Sequence, residues 1–242
     1  MAKARSGGRR GGNSISQSHT SATVTNVGGG ATASGLSFAN FDDNDANKLR
    51  SDVDDMYDSD VVDAIKLYIS DSNPNGDGYS HSQNLNYKLD NGKPLNPTEK
   101  FIDDNIQAGM HDLGKNAVLT RFCHDDILKS CGISDYTKYS ESQLQSMLIG
   151  TEFTSKSYTS YSYDTSKNPF RVGAPAGGGR EVTLKTNAVS TTKVVFGAKS
   201  QAEMVVNKGT KQRITNVYFD GTTAHPRSGG SKPRIVIETE TF

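Results

Sequence analysis

Between Leu49 and Tyr68 the apolar residues Leu49, Val53, Met56, Tyr57, Val61, Ala64, Ile65 and Tyr68 recur at helical spacing, with aspartates between them. That spacing lays an apolar stripe along one side of a helix and predicts one long or two shorter amphipathic helices. In Asn96-Pro97-Thr98-Glu99 an asparagine can cap, a proline takes the first helical position and a glutamate the third. A helix is therefore predicted from Pro97 to about Met110. Ser140 to Leu148 reads as a shorter helix closed by Gly150. Downstream the period changes. Glu181 to Ala188 alternates, with Val182 and Leu184 on one face, and Gln201–Asn207, Lys211–Phe219 and Arg234–Glu240 read as further strands between turn residues.

Helices first and strands later predict an α+β domain rather than alternating βαβ units. The domain is read as residues 41–242, with a helical part at 41–115 and a strand-rich part at 116–242. Residues 1–40 are mostly Gly, Ser, Thr and Asn with Lys3, Arg5, Arg9 and Arg10 and no acid, a composition expected to stay disordered. Such a basic leader could touch nucleic acid or another protein, but a plain soluble leader is the favoured reading.

Charge narrows the picture less than its distribution does. Lys+Arg and Asp+Glu are both 27, so nothing global argues for a nucleic-acid partner. Nine aspartates nevertheless crowd residues 41–63. Cys123 and Cys131 are too few for a disulfide framework and fit a reducing compartment or simple burial. The start MAKARSGGRRGG has no apolar signal region, and no apolar run reaches membrane-span length. The chain is expected to be soluble, monomeric and made in a cytoplasm, with delivery into a target cell or association with a virion left open.

Several nucleotide and metal signatures fail. Asp71 to Asp77 resembles the start of a calcium loop, but its twelfth position is Ser82 where a bidentate glutamate is needed. His111, Cys123 and His124 lack zinc-like spacing. Gly173–Gly179 has neither the dinucleotide fingerprint nor a P-loop. No metal is expected.

Three separated pieces carry the chemistry. Ala117–Phe122 is an apolar strand bearing Arg121, a planar donor fork suited to phosphate oxygens. In Phe153–Ser162 the alternation places Ser160 and Ser162 on one face. In Phe196–Lys211 a loop leads into a strand expected to carry Gln201 and Glu203 on the same face, and a glutamate among Val and Met is costly unless it has a role.

Together, and in this order, the pieces resemble the arginine–serine–glutamate class of ADP-ribosyltransferases, within it the bacterial exoenzyme group that includes actin- and Rho-modifying toxins. Arg121, the run Tyr158-Thr159-Ser160-Tyr161-Ser162 and Gln201-Ala202-Glu203 carry the likeness. Tyr79 with Asn84–Leu89, and Phe170-Arg171, extend it over about residues 45–242. Tyr161 inside the serine triplet and a single arginine at 121 depart from the pattern.

The resemblance implies an ADP-ribosyltransferase-like fold, with an N-terminal helical lobe on two mostly antiparallel sheets enclosing an NAD cleft. It implies NAD as co-substrate and Glu203 as the catalytic carboxylate, with Ser160 orienting it. Arg121 and Arg171 would clamp the pyrophosphate, with Phe170, Asn84, Tyr79 and Ser162 completing the NAD site. Phe196 and Gln201 would face a protein acceptor, and Gln201 favours an asparagine over an arginine. An NAD glycohydrolase, a transferase acting on nucleic acid or a small molecule, and a non-catalytic virion or binding protein are the alternatives.

Overall fold

The computed structural model describes residues 22–26, 36–74, 76, 78–171, 180–224 and 231–242. In chain order its first elements are β1 (Ala22–Asn26), β2 (Ala39–Asn40), α1 (Asp43–Asp52), α2 (Ser59–Ile69), α3 (His81–Asp90) and α4 (Pro97–Ala108). Then come β3 (His111–Asp112), β4 (Ala117–Cys123), α5 (Asp126–Ser130), α6 (Glu141–Leu148), β5 (Glu152–Ser155) and β6 (Thr159–Ser162). The chain finishes with β7 (Val182–Ala188), β8 (Lys193–Phe196), β9 (Glu203–Val206), β10 (Lys211–Ala224) and β11 (Ser231–Thr241).

The aspartate-rich stretch resolves into two helices because two of its aspartates are caps. Asp42 accepts from the Asn44 and Asp45 N–H groups, and Asp58 from those of Asp60 and Val61. Each cap stabilises its helix by about 1 kcal/mol. The capping box read at Asn96 and Glu99 is formed and opens α4. Ser140 caps α6 in the same way, and Gly150 follows it at φ +88°, a left-handed conformation glycine adopts without strain.

Strand pairing follows the path β1-β5-β10-β11-β7-β4-β6-β9-β8-β3, with β2 on the side of β4. Pairings β7–β11 and β2–β4 are parallel, and the others are antiparallel. Two sheets were expected. Hydrogen bonding is instead continuous, but the two halves meet at a single residue pair, Thr120 with Ser162. The serine strand is thus the seam of the molecule.

Alternation along β8 and β9 splits the core. Val195 and Val205 join Val61, Ala64, Ile65 and Tyr68 of α2, Leu85 of α3 and Ile102 and Ile106 of α4 on one side. Val194, Met204 and Val206 face the other cluster, with Leu119, Tyr161 and Leu184. The helical lobe α2–α4 therefore covers the same face of β9 that carries Glu203 and Val205.

Three readings change. Ala22–Asn26, inside the stretch expected to be disordered, is a strand on β5, and Val24 packs against the core. The rest of 1–35 lies outside the described residues, as do Gly173–Gly179 and part of the 71–77 loop. Phe153–Ser162 is two strands, β5 and β6, which join different halves of the sheet. The strand predicted at Gln201–Asn207 begins only at Glu203, because Gln201 ends a 3-10 turn and Ala202 takes φ +48°. Gln201 and Glu203 accordingly do not share a strand face.

Candidate active site

The loop Phe196–Glu203 folds back on its own carboxylate. Gly197 N–H donates to Glu203 O at 3.0 Å, and Glu203 N–H to Ala198 O at 3.1 Å. The Ala198 N–H donates to Glu203 Oε2 at 2.9 Å. A Cβ on Gly197 would stand 2.5 Å from that oxygen and 2.7 Å from Cδ, so only glycine lets the backbone approach this closely.

Glu203 is 4% exposed. Burial raises its pKa above the usual carboxylate range, while the Ala198 N–H, the Ser160 hydroxyl and the Arg121 charge each act the other way. Register places Ser162 opposite Glu203 and Ser160 opposite Val205, so both serines share its face. The Ser160 hydroxyl is buried without a hydrogen bond of ordinary geometry, yet lies near enough to Glu203 to favour the charged form. Arg121 Nη1 donates to Ser160 O at 2.9 Å, tying β4 to β6 beside the seam. Arg121, Ser160 and Glu203, far apart in sequence, are therefore one cluster.

The other predicted residues divide. Ser162 Oγ donates to Asp164 O at 2.8 Å and Gln201 O at 3.0 Å, so it anchors the Gln201 turn and its hydroxyl is turned toward backbone. Phe196 was expected at the acceptor surface. It is buried, with the Arg50 guanidinium 4.1 Å above its ring, His111 at 5.6 Å between ring centroids, and its N–H donated to Tyr57 Oη at 3.0 Å. Gln201 keeps a partly exposed side chain. Tyr79 is exposed just before the Ser80 cap of α3. Asn84 lies on the first turns of α3, its side-chain nitrogen buried without a hydrogen-bond partner. Asn86, on the same helix, donates to Tyr68 Oη and to Tyr158 O, two residues before Ser160. Phe170 is buried, whereas Arg171 is exposed and donates to Asn168 O at 3.2 Å in its own turn.

Gly197, Ala198, Arg50 and Tyr57 were missed from sequence. Only Gly197 carried a signal, a glycine directly after Phe196 in a loop leading to a buried glutamate. Among the described residues no group of three or more His, Cys, Asp or Glu side chains could hold a metal ion, and no helix is long and apolar enough to cross a membrane.

No family model and no curated protein matches the sequence. Solved structures do match. A C3-type ADP-ribosyltransferase from Clostridium botulinum is 18% identical, with a TM-score of 0.55 over 86% of this chain and 100% of that one. C3stau2 from S. aureus, solved with NAD, is 18% identical with a TM-score of 0.55, covering 86% of this chain and 99% of that one. The enzymatic component C2-I of the C2-toxin from Clostridium botulinum is 14% identical with a TM-score of 0.55 over 81% of this chain. The present chain spans about half of C2-I, 46% of its length. What these proteins share with the present chain is the fold of the exoenzyme-type ADP-ribosyltransferases.

Proposed function

We propose that the protein is a mono-ADP-ribosyltransferase that cleaves NAD and transfers ADP-ribose to a protein side chain. The observation that carries this reading is the buried Glu203 carboxylate, held by the Ala198 N–H and gathered with Ser160 and Arg121 from three strands. The fold shared with the C3-type ADP-ribosyltransferase of Clostridium botulinum and with NAD-bound C3stau2 supports it.

The residues present fit NAD. Asn84 Nδ2 is buried without a hydrogen-bond partner, and Ser160 Oγ, near Glu203, makes no hydrogen bond of ordinary geometry; a polar ligand would satisfy both. Arg121, which donates to the Ser160 carbonyl, supplies positive charge for phosphate oxygens. The bond between nicotinamide and the ribose anomeric carbon breaks, and nicotinamide leaves with the bonding pair. Positive charge develops on the sugar, as in glycosidic cleavage. An ionised Glu203 fixed against that ribose stabilises the charge where it forms. The acceptor then bonds to the anomeric carbon and releases its proton to water. Gln201, partly exposed on a turn fixed by Ser162, is suited to meet an amide acceptor, with an arginine next in order. Action as a toxin or effector rests on the likeness to the enzymatic component of C2-toxin.

Incubation with NAD labelled in the adenosine half, together with candidate host proteins, tests the reading. Label covalently attached to protein with release of nicotinamide is expected. Free ADP-ribose without labelled protein would make the protein an NAD glycohydrolase, and no nicotinamide release would overturn the reading.

A further inference from the structure

Strand β8 loses one of its two neighbours at its last residue, just before the loop that holds Glu203. Its partner β3 starts at His111, opposite Val194, so no strand residue lies across from Phe196 on that side. On the other side, Glu203 O accepts the Gly197 N–H, and the alternation of an antiparallel ladder turns the Phe196 N–H away from β9. The acceptor it finds is a side chain, the Tyr57 hydroxyl, at 3.0 Å. Phe196 is buried, and a buried N–H without an acceptor is unfavourable.

The Tyr57 hydroxyl is itself held in place. It lies 3.2 Å from His111 Nε2, while His111 Nδ1 lies 3.0 Å from the Asp112 carbonyl oxygen, which can only accept. The ring hydrogen therefore sits on Nδ1, and Nε2 accepts from Tyr57. Burial lowers the His111 pKa and pushes that of Tyr57 up to about 12, so the imidazole stays neutral and the phenol keeps its hydrogen. Lys193 acts on His111 in the same direction as burial, whereas the Asp112 carbonyl and carboxylate oppose it. The Arg50 guanidinium lies over the Phe196 ring and favours ionised Tyr57, against the larger effect of burial. The Tyr57 ring packs against both hydrophobic clusters, and its N–H donates to Asp54 O at 3.0 Å. The residue after it, Asp58, is the cap of α2.

Only Gly197 separates this anchor from Ala198, whose N–H donates to Glu203 Oε2 at 2.9 Å. Where Tyr57 holds the backbone thus sets where that donor stands. We propose that Tyr57, backed by His111, is a positioning residue for Glu203: its hydroxyl fixes the end of β8, and with it the loop that holds the carboxylate. The proposal rests on the NAD-cleaving reading above.

The test is Tyr57→Phe made in the parent and in Glu203→Ala, with steady-state nicotinamide release, NAD calorimetry and melting temperature measured on each. In the parent, kcat should fall by about tenfold while NAD affinity stays within about twofold, because the group displaced acts on the reacting ribose. In Glu203→Ala the same substitution should change the residual release by less than about twofold, since a residue acting through Glu203 has nothing left to position. A kcat within twofold of the parent in a folded Tyr57→Phe protein, or equal losses in the two backgrounds, would overturn the proposal. Should Tyr57→Phe not fold, His111→Leu and His111→Gln decide. The amide oxygen of a glutamine can accept from Tyr57 and leucine cannot, so His111→Leu should lose at least about threefold more kcat than His111→Gln. Equal kcat in those two would overturn the proposal. Failure of the parent itself to release nicotinamide would instead overturn the functional reading.

Discussion

The backbone of Gly197 and the carboxylate of Glu203 are in mutual contact, with no room for a methyl group between them: a Cβ on Gly197 would stand 2.5 Å from Glu203 Oε2. Gly197→Ala must therefore displace either the loop or the carboxylate. Overpacking of this kind costs about 1–3 kcal/mol. We expect a lower melting temperature and a loss of turnover of about tenfold or more, because the carboxylate leaves the position proposed for it against the ribose. Steady-state nicotinamide release alongside a thermal melt checks both parts, and unchanged turnover would show that the loop tolerates another position of Glu203.

The strand Ala22–Asn26 covers one edge of β5, and Val24 packs on the core. Removal of residues 1–21 is expected to leave the melting temperature nearly unchanged. Removal of residues 1–35 also strips β1 and bares the β5 edge, so that shorter protein should melt several degrees lower and associate more readily. Melting curves and light scattering on the two truncations decide the matter. Equal melting temperatures would mean that β1 contributes nothing to stability.

How much was readable before the fold was known depended on how local each signal was. The capping box at Asn96 and Glu99 lies within four residues, and it predicted α4 well. Helix α3 opens with the same kind of box, Ser80 with Gln83, but no apolar stripe marks it, because it buries His81, Ser82 and Asn86 along with Leu85. Asn86 is tolerated there through partners distant in sequence, Tyr68 and Tyr158, whereas Ser82 meets Ser80 of the cap. The Arg121, Ser160 and Glu203 cluster was legible only as an ordered set of motifs, since its geometry depends on the β4–β6 seam. The place of Gln201 was misread because a non-glycine residue, Ala202, takes a left-handed conformation and breaks the alternation.

Burial holds the Glu203 carboxyl above its ordinary pKa of 4.5. A raised native pKa means that the folded chain binds the proton more tightly than the unfolded one. The contribution of Glu203 is then fully favourable below 4.5 and is lost as pH rises through the native value. Glu203→Gln carries no such loss. It should melt higher than the parent at about pH 7, with the difference shrinking toward about pH 4. An unchanged or lower melting temperature near neutrality would contradict the burial cost assigned to this group.

Gln201 is fixed by its backbone, through the Ser162 hydroxyl, while its side chain is partly exposed. Gln201→Ala is expected to reduce transfer to protein by about tenfold more than it reduces hydrolysis of NAD by water, because the amide is proposed to meet the acceptor rather than the ribose. Both rates should be measured on one preparation with the acceptor in excess. Equal losses would assign Gln201 to NAD and remove the preference for an amide acceptor.

Glu203 is proposed to carry the cleavage of NAD on a site assembled by Ser160 and Arg121. The most direct measurement is nicotinamide release from NAD by the parent and by Glu203→Ala, with NAD binding followed by calorimetry on the same samples. Release should fall by about a hundredfold or more, with NAD affinity changed by only a few-fold. Release within a few-fold of the parent by a folded Glu203→Ala protein would contradict it.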